Sequence, residues 1–408
     1  MNNKGSLSHL KVLDLSRVMA GPWAGQVLAD MGAEVIKVER PEFGDDTRSW
    51  GPPFLKRADG SETRESGYYL STNRGKKSIT VNLSTPEGQE VIRKLAGSSD
   101  ILLENFKVGT LARFGLDYGS LKKINPRLIY CSITGFGQTG PRARQVAYDF
   151  LIQAMGGMMS ITGEEDDKPG GGPQKIGVPL VDLTTGLYSV IGILGAIARR
   201  DQTGTGDFVD VAMLDVQTSL LANQAMNHLL TGKTPRRYGN GHPNIMPQQV
   251  FTCQDGQIVL AVGNDGQFAR LCSVLGDKDM MADAELATNK GRVARRDWLL
   301  SRLAGHFSRY ERAELLAQLD GADVPAGPIN SIPEVLAEEQ VQARDMVGNL
   351  YHPEGGSVPQ VFSPIKFEAA DYRPDTAPPL LGADTDKILG DLGYDAEDIA
   401  GMRKNGII

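Results

Sequence analysis

The sequence predicts an α/β protein with a large, doubly wound domain and a smaller α+β domain. Over the first 200 residues, short apolar runs of β type alternate with helical patterns, which favours a mostly parallel sheet with helices on its faces. Near residue 225 the composition changes to turn residues, a hairpin pattern and helices rich in Arg and Leu. From about residue 357 strand and helix patterns return. We therefore expect the chain to leave the first domain, build the second and come back.

The first half of the chain gives the elements of the large domain. Its strands are expected at 12–15, 35–38, 101–103 and 128–133. Its helices are expected at 25–31, 86–96, 150–159 and 183–200, the last with five apolar residues on one face. The segment 41–77, rich in Gly, Pro, Arg and Asp, is predicted to be a long functional loop.

The second half is expected to begin with a short strand and a long apolar helix over 208–230. A turn-rich loop follows at 238–247, and the pattern at 250–263 predicts a hairpin that turns at Asp255-Gly256. The domain boundaries follow from these elements. We assign 1–200 and 350–408 to the large domain, 201–224 to a linker, 225–325 to the small domain and 326–349 to a return linker.

Composition and charge argue against several classes of protein. The 43 basic and 50 acidic side chains give a net charge of −7, which is unlike a nucleic-acid binder. The three cysteines and five histidines show neither disulfide nor zinc spacing. The N-terminus has no apolar signal region, and no uninterrupted apolar run reaches a membrane-spanning length. We expect a soluble, cytoplasmic protein that binds no nucleic acid, membrane or metal.

A glycine motif at Gly135-Phe-Gly137-Gln-Thr-Gly140 matches the spacing of a dinucleotide-binding fingerprint. Such a fingerprint needs a helix that opens at once and an acidic residue about 20 positions later. Here Pro141 and Arg142 follow immediately, and 157–160 supplies no carboxylate. A turn that allows close backbone approach to a ligand is the better interpretation.

Asp182 stands between a Pro-Leu-Val run and the helix expected from residue 183. An aspartate at this position is typical of a helix N-cap, which stabilises a helix by about 1 kcal/mol. A helix N-terminus also keeps a carboxylate ionised, and an ionised carboxylate can act as a covalent nucleophile. The residues alone leave both roles open.

Basic residues are scattered over the expected loops. Most are expected to be solvated surface groups, but Arg40, at the end of an expected strand, is the best placed to bind a phosphate. The set comprises Arg17, Arg40, Arg48, Arg74, Lys76, Lys77, Arg113, Arg142 and Arg144.

Several ordered segments resemble the class III CoA-transferases, the family of formyl-CoA transferase and carnitine CoA-transferase. They include "LKVLDLSRVMAGPWAGQVLADMGAEVIKVERPEFGDDTR", "NRGKKSITVNLSTPEG", "ILLENFKVG", "ITGFGQTGP", "VDLTTGLYSVIGILGA" and "PPLLGADTDKIL". The resemblance covers essentially the whole chain. It implies a Rossmann-like large domain, an interlocked homodimer, and coenzyme A or acyl-CoA as a substrate with no permanently bound cofactor.

The resemblance also implies roles for individual residues. Asp182 falls at the catalytic aspartate, which favours the nucleophile over the cap. The coenzyme contacts of the family fall on Arg17, Val18, Met19, Arg40, Val81, Leu83, Asn105, Phe106 and Arg113. One further contact is missing at Val146 or has moved to Arg144. Met19 stands where formyl-CoA transferase has glutamine, which argues against formyl or oxalyl specificity.

The acyl pocket is expected to include Trp50, Tyr148 and His242. Trp50 matches a tryptophan of the family, and the loop 238–247 takes the place of its Gly-rich lid. His242, or Arg236 and Arg237, could bind the distal carboxylate of a dicarboxylic acid, although His242 could equally stabilise the loop.

The expected function is the transfer of CoA from an acyl-CoA donor, with succinyl-CoA favoured, to a small carboxylic or dicarboxylic acid through an aspartyl-CoA thioester. Two alternatives stay open: an isomerase like α-methylacyl-CoA racemase, and a CoA-binding protein without turnover. The racemase carries a histidine before its other aspartate, whereas this chain has Tyr148 before Asp149, and the pKa of tyrosine, about 10, suits proton transfer near neutral pH poorly.

Overall fold

The computed structural model describes residues 4–370 and 372–408. The strands are β1 Lys11–Asp14, β2 Glu34–Glu39, β3 Phe54–Lys56, β4 Glu62–Ser66, β5 Lys76–Thr80, β6 Ile101–Glu104, β7 Ile129–Thr134, β8 Phe208–Ala212, β9 Gln248–Cys253, β10 Gly256–Ala261, β11 Ala326–Pro328, β12 Val347–His352 and β13 Gly356–Val361. Short 3₁₀ helices span Asp46–Ser49 and Leu111–Phe114.

The α-helices are α1 Ala20–Asp30, α2 Gly67–Leu70, α3 Pro86–Gly97, α4 Tyr118–Leu121, α5 Asp149–Met155, α6 Met158–Ile161, α7 Leu180–Thr203, α8 Met213–Ser219, α9 Ala222–Thr231, α10 Asp265–Val274, α11 Lys278–Ala282, α12 Asn289–Ala294, α13 Arg296–Phe307, α14 Arg312–Gly321, α15 Ile332–Ala337, α16 Glu339–Ala343, α17 Thr385–Asp391 and α18 Ala396–Lys404.

The largest sheet has six parallel strands in the order β5-β2-β1-β6-β7-β8. Numbered along the chain, these strands stand in the order 3-2-1-4-5-6, which is that of a doubly wound nucleotide-binding sheet. The direction of winding reverses between β1 and β6. The predicted α/β class with a parallel sheet is therefore confirmed.

Both faces of this sheet are covered by helices. Alternate side chains of a strand point to opposite faces, so Leu13 packs into one apolar cluster while Val12 packs into another. The first cluster includes buried residues of α3, α17 and α18. The second includes residues of α1 and α7. This two-layer core fixes where the strands end and the loops begin.

The chain divides into two compact units. One comprises Met1–Met158, Ile176–Asn223 and Gln340–Ile408, and the other Met159–Lys175 and Gln224–Glu339. The second unit has its own apolar core and a three-stranded antiparallel sheet in the order β11-β10-β9. The domain boundaries proposed above stay a prediction, and packing adds the segment Met159–Lys175 to the second unit.

Several elements differ from the sequence-based expectations. The segment 41–77 is not one loop, since it contains β3, β4, α2 and a 3₁₀ turn. The long helix expected up to residue 230 is divided into α8 and α9, because Ala222 adopts a left-handed φ of 40°. The hairpin turns at Gln254-Asp255, one residue earlier than expected, since Cys253 pairs with Gly256.

Helix α7 is the one described helix whose length and apolar composition would let it cross a membrane. Core helices of globular domains meet the same criteria. In the structure α7 lies against α1 and against strands β7 and β8 of the parallel sheet. Its apolar residues Val190 and Ile193 are buried in the second cluster of the core. Packing inside the first unit accounts for these buried residues, whereas Leu187, Tyr188 and Ile191 of the same helix are 44%, 45% and 63% exposed.

Gly186 sets how closely α7 approaches α1. A Cβ atom at this position would lie 2.7 Å from the backbone oxygen of Ala20 and 3.0 Å from the ring of Trp23. We expect Gly186→Ala to lower the free energy of unfolding by about 1–3 kcal/mol, because the helices must separate. The measurement is urea denaturation followed by circular dichroism.

Gly195→Ala on the same helix is the matched control, since nothing lies within 4 Å of a Cβ atom there. This control should be neutral or stabilising by about 0.5–1 kcal/mol through helix propensity. Equal stabilities of the two variants would contradict the close approach inferred at Gly186.

Candidate active site

The loops at the winding reversal form the centre of the candidate site. In open α/β sheets, ligands bind beyond the carboxyl ends of the strands at such a point. The loop after β1 carries Arg17, and the loop after β6 carries Asn105. The Asn105 side chain accepts from the Arg17 backbone N–H at 2.9 Å and donates to the Arg17 carbonyl at 2.7 Å. The two loops are thereby joined where a ligand is expected.

Two neighbouring cavities open around this junction. The first, which we call the Arg40 cavity, has a volume of about 170 Å³ and lies beside the carboxyl end of β2. Its lining consists of Leu15, Arg17, Val38, Glu39, Arg40, Gly44, Asp45, Val81, Asn82, Leu83, Ser84, Phe106 and Phe114. Five of the residues expected to contact the coenzyme are among them.

The second, which we call the Asp182 cavity, has a volume of about 290 Å³. It contains Val18, Met19, Asn105, Tyr148 and Asp182. Arg17 and Phe106 line both cavities. The sequence-predicted residues thus converge on two adjoining spaces that share a wall.

Asp182 lies inside the first turn of α7, since the helix begins at Leu180 and its N-cap position is Pro179. The N-cap role considered from the sequence is therefore wrong. Asp182 is half-buried, and within the described residues no side chain forms an ion pair or hydrogen bond with its carboxyl group. A carboxylate in the wall of a cavity with no protein partner is available to a ligand.

A second carboxylate, that of Asp149, lies close by at the N-terminus of α5. It accepts from the backbone N–H of Val181 at 2.7 Å and from that of Asp182 at 3.3 Å. Its other oxygen accepts from the Gln153 amide at 2.6 Å. Asp149 therefore holds the first turn of α7 in place.

Burial raises the pKa of Asp182 to about 7, and the negative charge of Asp149 adds to the effect. A carboxyl group that titrates near neutral pH in a cavity is a common feature of functional sites. Since burial and a like charge both disfavour the ionised form, the Asp182 carboxylate is more basic than an exposed one. Greater basicity favours attack on a carbonyl carbon.

Tyr68 belongs to the surroundings of Asp182 although the sequence analysis did not single it out. Burial raises the pKa of Tyr68, and the charges of Asp182 and Asp149 raise it further. Trp50 packs edge-on against Tyr68, with the ring centroids 5.2 Å apart. Trp50 is 41% exposed, and neither it nor Tyr68 lines the Asp182 cavity, so the place of Trp50 in the acyl pocket stays a prediction.

An acidic side chain, Asp46, connects the two expected phosphate-binding arginines. It lies 3.4 Å from Arg17 and 2.5 Å from Arg40, and it also lines the Asp182 cavity. The guanidinium of Arg17 in addition lies 5.1 Å from the centre of the Phe106 ring. Asp46 thus links Arg17, which lines both cavities, to Arg40, which lines the Arg40 cavity only.

Besides Trp50, three expected residues line neither cavity. Arg113 is exposed and contacts the ring of Phe114, which lines the Arg40 cavity. Arg144 is exposed between Ala143 and Gln145, which line the Asp182 cavity. His242 belongs to the second unit, where its Nδ1 accepts from the backbone N–H groups of Asn244 and Ile245.

The His242 contacts support the loop-stabilising role left open by the sequence. Burial lowers the pKa of His242, and the nearby Arg296 cation lowers it further. The imidazole is therefore predominantly neutral near neutral pH, as its two accepted hydrogen bonds at Nδ1 require.

The glycine motif after β7 forms a turn, and the next helix begins only at Asp149. Gly137 and Gly140 have φ values of 84° and 87°. A Cβ atom on Gly135 would lie 2.4 Å from the Cβ of Ala147, so the close backbone approach is to the chain itself. The dinucleotide interpretation is not supported by this geometry.

Four residues at or near the site are not among those predicted from the sequence: Asp149, Tyr68, Asp46 and Lys107. Lys107 lines the Asp182 cavity directly after Phe106, so its position in the "ENFK" segment was the available signal. Tyr68 had no such signal, because it lies in none of the sequence segments from which site residues were predicted. Among the described residues, no group of three or more His, Cys, Asp or Glu is arranged to hold a metal ion.

The fold and site together define an α/β protein with two adjoining cavities at the winding reversal, one of them lined by a carboxyl group of raised pKa. Residues 7–385 match the family model described as CoA-transferase family III. The chain is 49% identical to the succinate–glutarate CoA-transferase of Agrobacterium fabrum, with 96% of each chain covered. It is 41% identical to the human succinyl-CoA:glutarate CoA-transferase, over 100% of this chain and 91% of that one.

Solved structures agree with this assignment. A CaiB/BaiF family protein from Brucella suis is 48% identical, has a TM-score of 0.83 and covers 95% of this chain and 100% of its own. The chain therefore belongs to CoA-transferase family III, and it is a CoA-transferase of this class.

Proposed function

We propose that this enzyme transfers CoA from succinyl-CoA to a small carboxylic or dicarboxylic acid through an aspartyl-CoA thioester on Asp182. The observation that carries the proposal is the half-buried Asp182 carboxylate, which faces a cavity that shares a wall with the Arg40 cavity. A nucleophile on one side of the wall and cations near the other suit a ligand that has a thioester at one end and phosphates at the other.

The chemistry proceeds by exchange of activated acyl bonds. The Asp182 carboxylate attacks the thioester carbonyl of the donor, which gives a mixed anhydride and the CoA thiolate. The thiolate attacks the aspartyl carbonyl, which gives the aspartyl-CoA thioester and releases the donor acid. The carboxylate of the acceptor acid then attacks this thioester, which breaks its C–S bond, forms a second anhydride and releases the CoA thiolate. The thiolate finally attacks the acceptor carbonyl, which forms the new acyl-CoA and regenerates Asp182.

Different residues around Asp182 are proposed to bind different parts of the acyl-CoA. Arg40, whose side chain is 52% exposed, and Arg17 would bind the phosphates of the coenzyme, with Arg113 and Arg144 as outer cations. Val81, Leu83 and Phe106 supply apolar walls in the Arg40 cavity. Val18, Met19, Asn105 and Tyr148 would surround the thioester and acyl group in the Asp182 cavity. Trp50 stays a predicted residue of the acyl pocket.

The acids are proposed from the relatives. Proteins at 38–49% identity are named as transferases for succinate and glutarate, or for succinyl-CoA and mesaconate. A dicarboxylate needs a partner for its distal carboxylate. Of the candidates, Arg237 donates to Asp166 and to the carbonyl of Glu164, and Arg236 is exposed and lies 4.7 Å from the centre of the Tyr238 ring. Arg236, Arg237 and His242 stay predictions for this partner.

The proposed setting follows the same family. We expect an interlocked homodimer in the cytoplasm, with acyl-CoA and a small carboxylate as its partners and with neither nucleic acid nor membrane bound. The loop 238–247 is the proposed lid that keeps water from the anhydride.

Intact-mass spectrometry after incubation with succinyl-CoA tests the covalent step. We expect an adduct of CoA mass on the intact protein, which peptide mapping without reduction should place on the peptide containing Asp182. An adduct on another residue would overturn the role of Asp182. If no adduct forms with any small acyl-CoA although CoA binds, the covalent proposal fails. Exchange of the α-proton in deuterated water would then indicate a racemase.

A further inference from the structure

The loop between β1 and α1 contains a strained residue at the centre of the site. Val18 has a φ of 73°, in the left-handed region that β-branched residues rarely adopt. Val18 also lines the Asp182 cavity, and its neighbour Arg17 lines both cavities. Such strain persists only where surrounding contacts impose it, and it is often found at functional sites.

Two side chains contact the Arg17–Val18 peptide: Asn105 donates to its carbonyl at 2.7 Å, and Asp45 accepts from its N–H. The backbone N–H of Val18 lies 3.3 Å from both carboxylate oxygens of Asp45. Asp45 is 2% exposed and forms an ion pair of 2.8 Å with Lys37, which is fully buried. The Lys37 ammonium also donates to the carbonyl of Ser16 at 3.0 Å. The pair thus forms hydrogen bonds with two successive peptide groups of the loop, through the Ser16 carbonyl and the Val18 N–H.

Other contacts orient the pair itself. Asp45 accepts from the backbone N–H and the hydroxyl of Thr47 at 3.0 and 2.8 Å. Its own backbone N–H donates to Glu39 at 2.9 Å. Lys37 belongs to β2, so the charge that fixes Asp45 is carried by the parallel sheet. A buried ion pair stabilises a fold little on balance, whereas it can specify one conformation.

We propose that the buried Lys37–Asp45 pair is a positioning pair that holds Val18 in its left-handed conformation and so places the loop Arg17–Met19 against the thioester. This inference rests on the proposed function, since it concerns the binding of the same acyl-CoA. Neither residue of the pair needs to touch the substrate at its charged group. Their effect on the reaction passes through the Val18 backbone.

The test is a double-mutant cycle on transfer kinetics. Lys37→Met and Asp45→Leu are introduced together, because removing both charges avoids an unpaired buried ion. We expect this double variant to fold and to lose kcat by about 10- to 100-fold, in line with a small misplacement of reacting groups. Val18→Gly is then added, since glycine adopts a positive φ without strain.

If the pair acts through Val18, the Lys37→Met, Asp45→Leu substitutions should lower kcat by a smaller factor in the Val18→Gly background than with valine at position 18. The effect of Val18→Gly alone is measured as the baseline. A loss in kcat that is the same with valine and glycine at position 18 would overturn the proposal, because the pair would then act by another route. An unchanged kcat in the Lys37→Met, Asp45→Leu variant would overturn it as well.

Arg200 and Asp100 give a matched control. They form an ion pair of 3.0 Å in which Arg200 is 4% exposed, and Arg200 lies 18 residues beyond Asp182, or about 27 Å along α7. The variant Arg200→Met, Asp100→Leu should keep its kcat. If the unaltered enzyme transfers no CoA, the proposed function fails first. If the parent enzyme transfers CoA and the Lys37→Met, Asp45→Leu variant has the same kcat, only the positioning proposal fails.

Discussion

Asp182→Ala is expected to abolish CoA transfer, with a loss of roughly 10⁴-fold or more, while the protein still binds CoA. The expectation follows from covalent catalysis, in which removing the nucleophile removes every later step. CoA binding should persist because Arg17 and Arg40 and the apolar lining of the Arg40 cavity stay in place. Steady-state transfer from succinyl-CoA and titration calorimetry with CoA are the two measurements.

Asp201→Ala is the control for this variant. Asp201 is an exposed residue of the same helix, 19 positions and about 28 Å further along α7. The Asp201→Ala variant should transfer CoA as fast as the parent enzyme. Turnover near the parental rate in Asp182→Ala would exclude the aspartyl-CoA mechanism, whatever the affinity for CoA.

Asp182→Asn offers an independent check on the environment of this carboxyl group. Because burial raises the pKa of Asp182 to about 7, ionising this group opposes folding. Below the ordinary carboxyl pKa both states are protonated and the effect is absent, and above about pH 7 it is complete. The asparagine variant should therefore melt a few degrees above the parent at pH 8, with the difference vanishing towards pH 4.

The pH dependence of kcat/KM should follow the ionisation of Asp182. The Asp149→Asn substitution should shift this dependence along the pH axis. Attack requires the ionised Asp182, so kcat/KM should rise with pH through about 7 and then level off. The negative charge of Asp149 contributes to the raised pKa, and removing it should lower the pKa of Asp182. The acid limb should then move to lower pH, so that the variant gains activity at pH 6 relative to pH 8.

Asparagine is chosen because its side-chain oxygen can still accept from the backbone N–H groups of Val181 and Asp182. The shift should be smaller than a full return to the ordinary carboxyl range, because burial is the larger cause of the raised pKa. Asp201→Asn changes the net charge equally and should leave the profile unmoved. An acid limb that stays in place in Asp149→Asn would contradict electrostatic coupling between the two carboxyl groups.

The sequence was informative about the sheet because local patterns report buried strands. Four strand expectations, at 12–15, 35–38, 101–103 and 128–133, lie within about one residue of β1, β2, β6 and β7. Each is a short apolar run next to a helical pattern, so burial alone marks it. The segment 41–77 was misjudged because its short strands and turns are polar and Gly-rich, and no periodicity marks them.

The start of helix α7 differs between the sequence prediction and the structure for a physical reason. The start of α7 was placed at residue 183 because Asp182 has the composition of an N-cap. In the structure the helix extends back to Leu180, because Asp149 satisfies the backbone N–H groups of Val181 and Asp182. A partner more than 30 residues away cannot be read from a local pattern.

The sequence by itself determined the α/β class, the position of Asp182 and, through the family motifs, the chemistry to expect of it. Only the tertiary structure decided which residues surround that carboxylate. Asp149, Tyr68 and Asp46 come from three separate segments, and the Val18 N–H, at a residue with a left-handed φ, meets the Asp45 carboxylate across the loop. Local propensity sets strands and helices, whereas burial, charge coupling and backbone strain arise only when distant segments pack together.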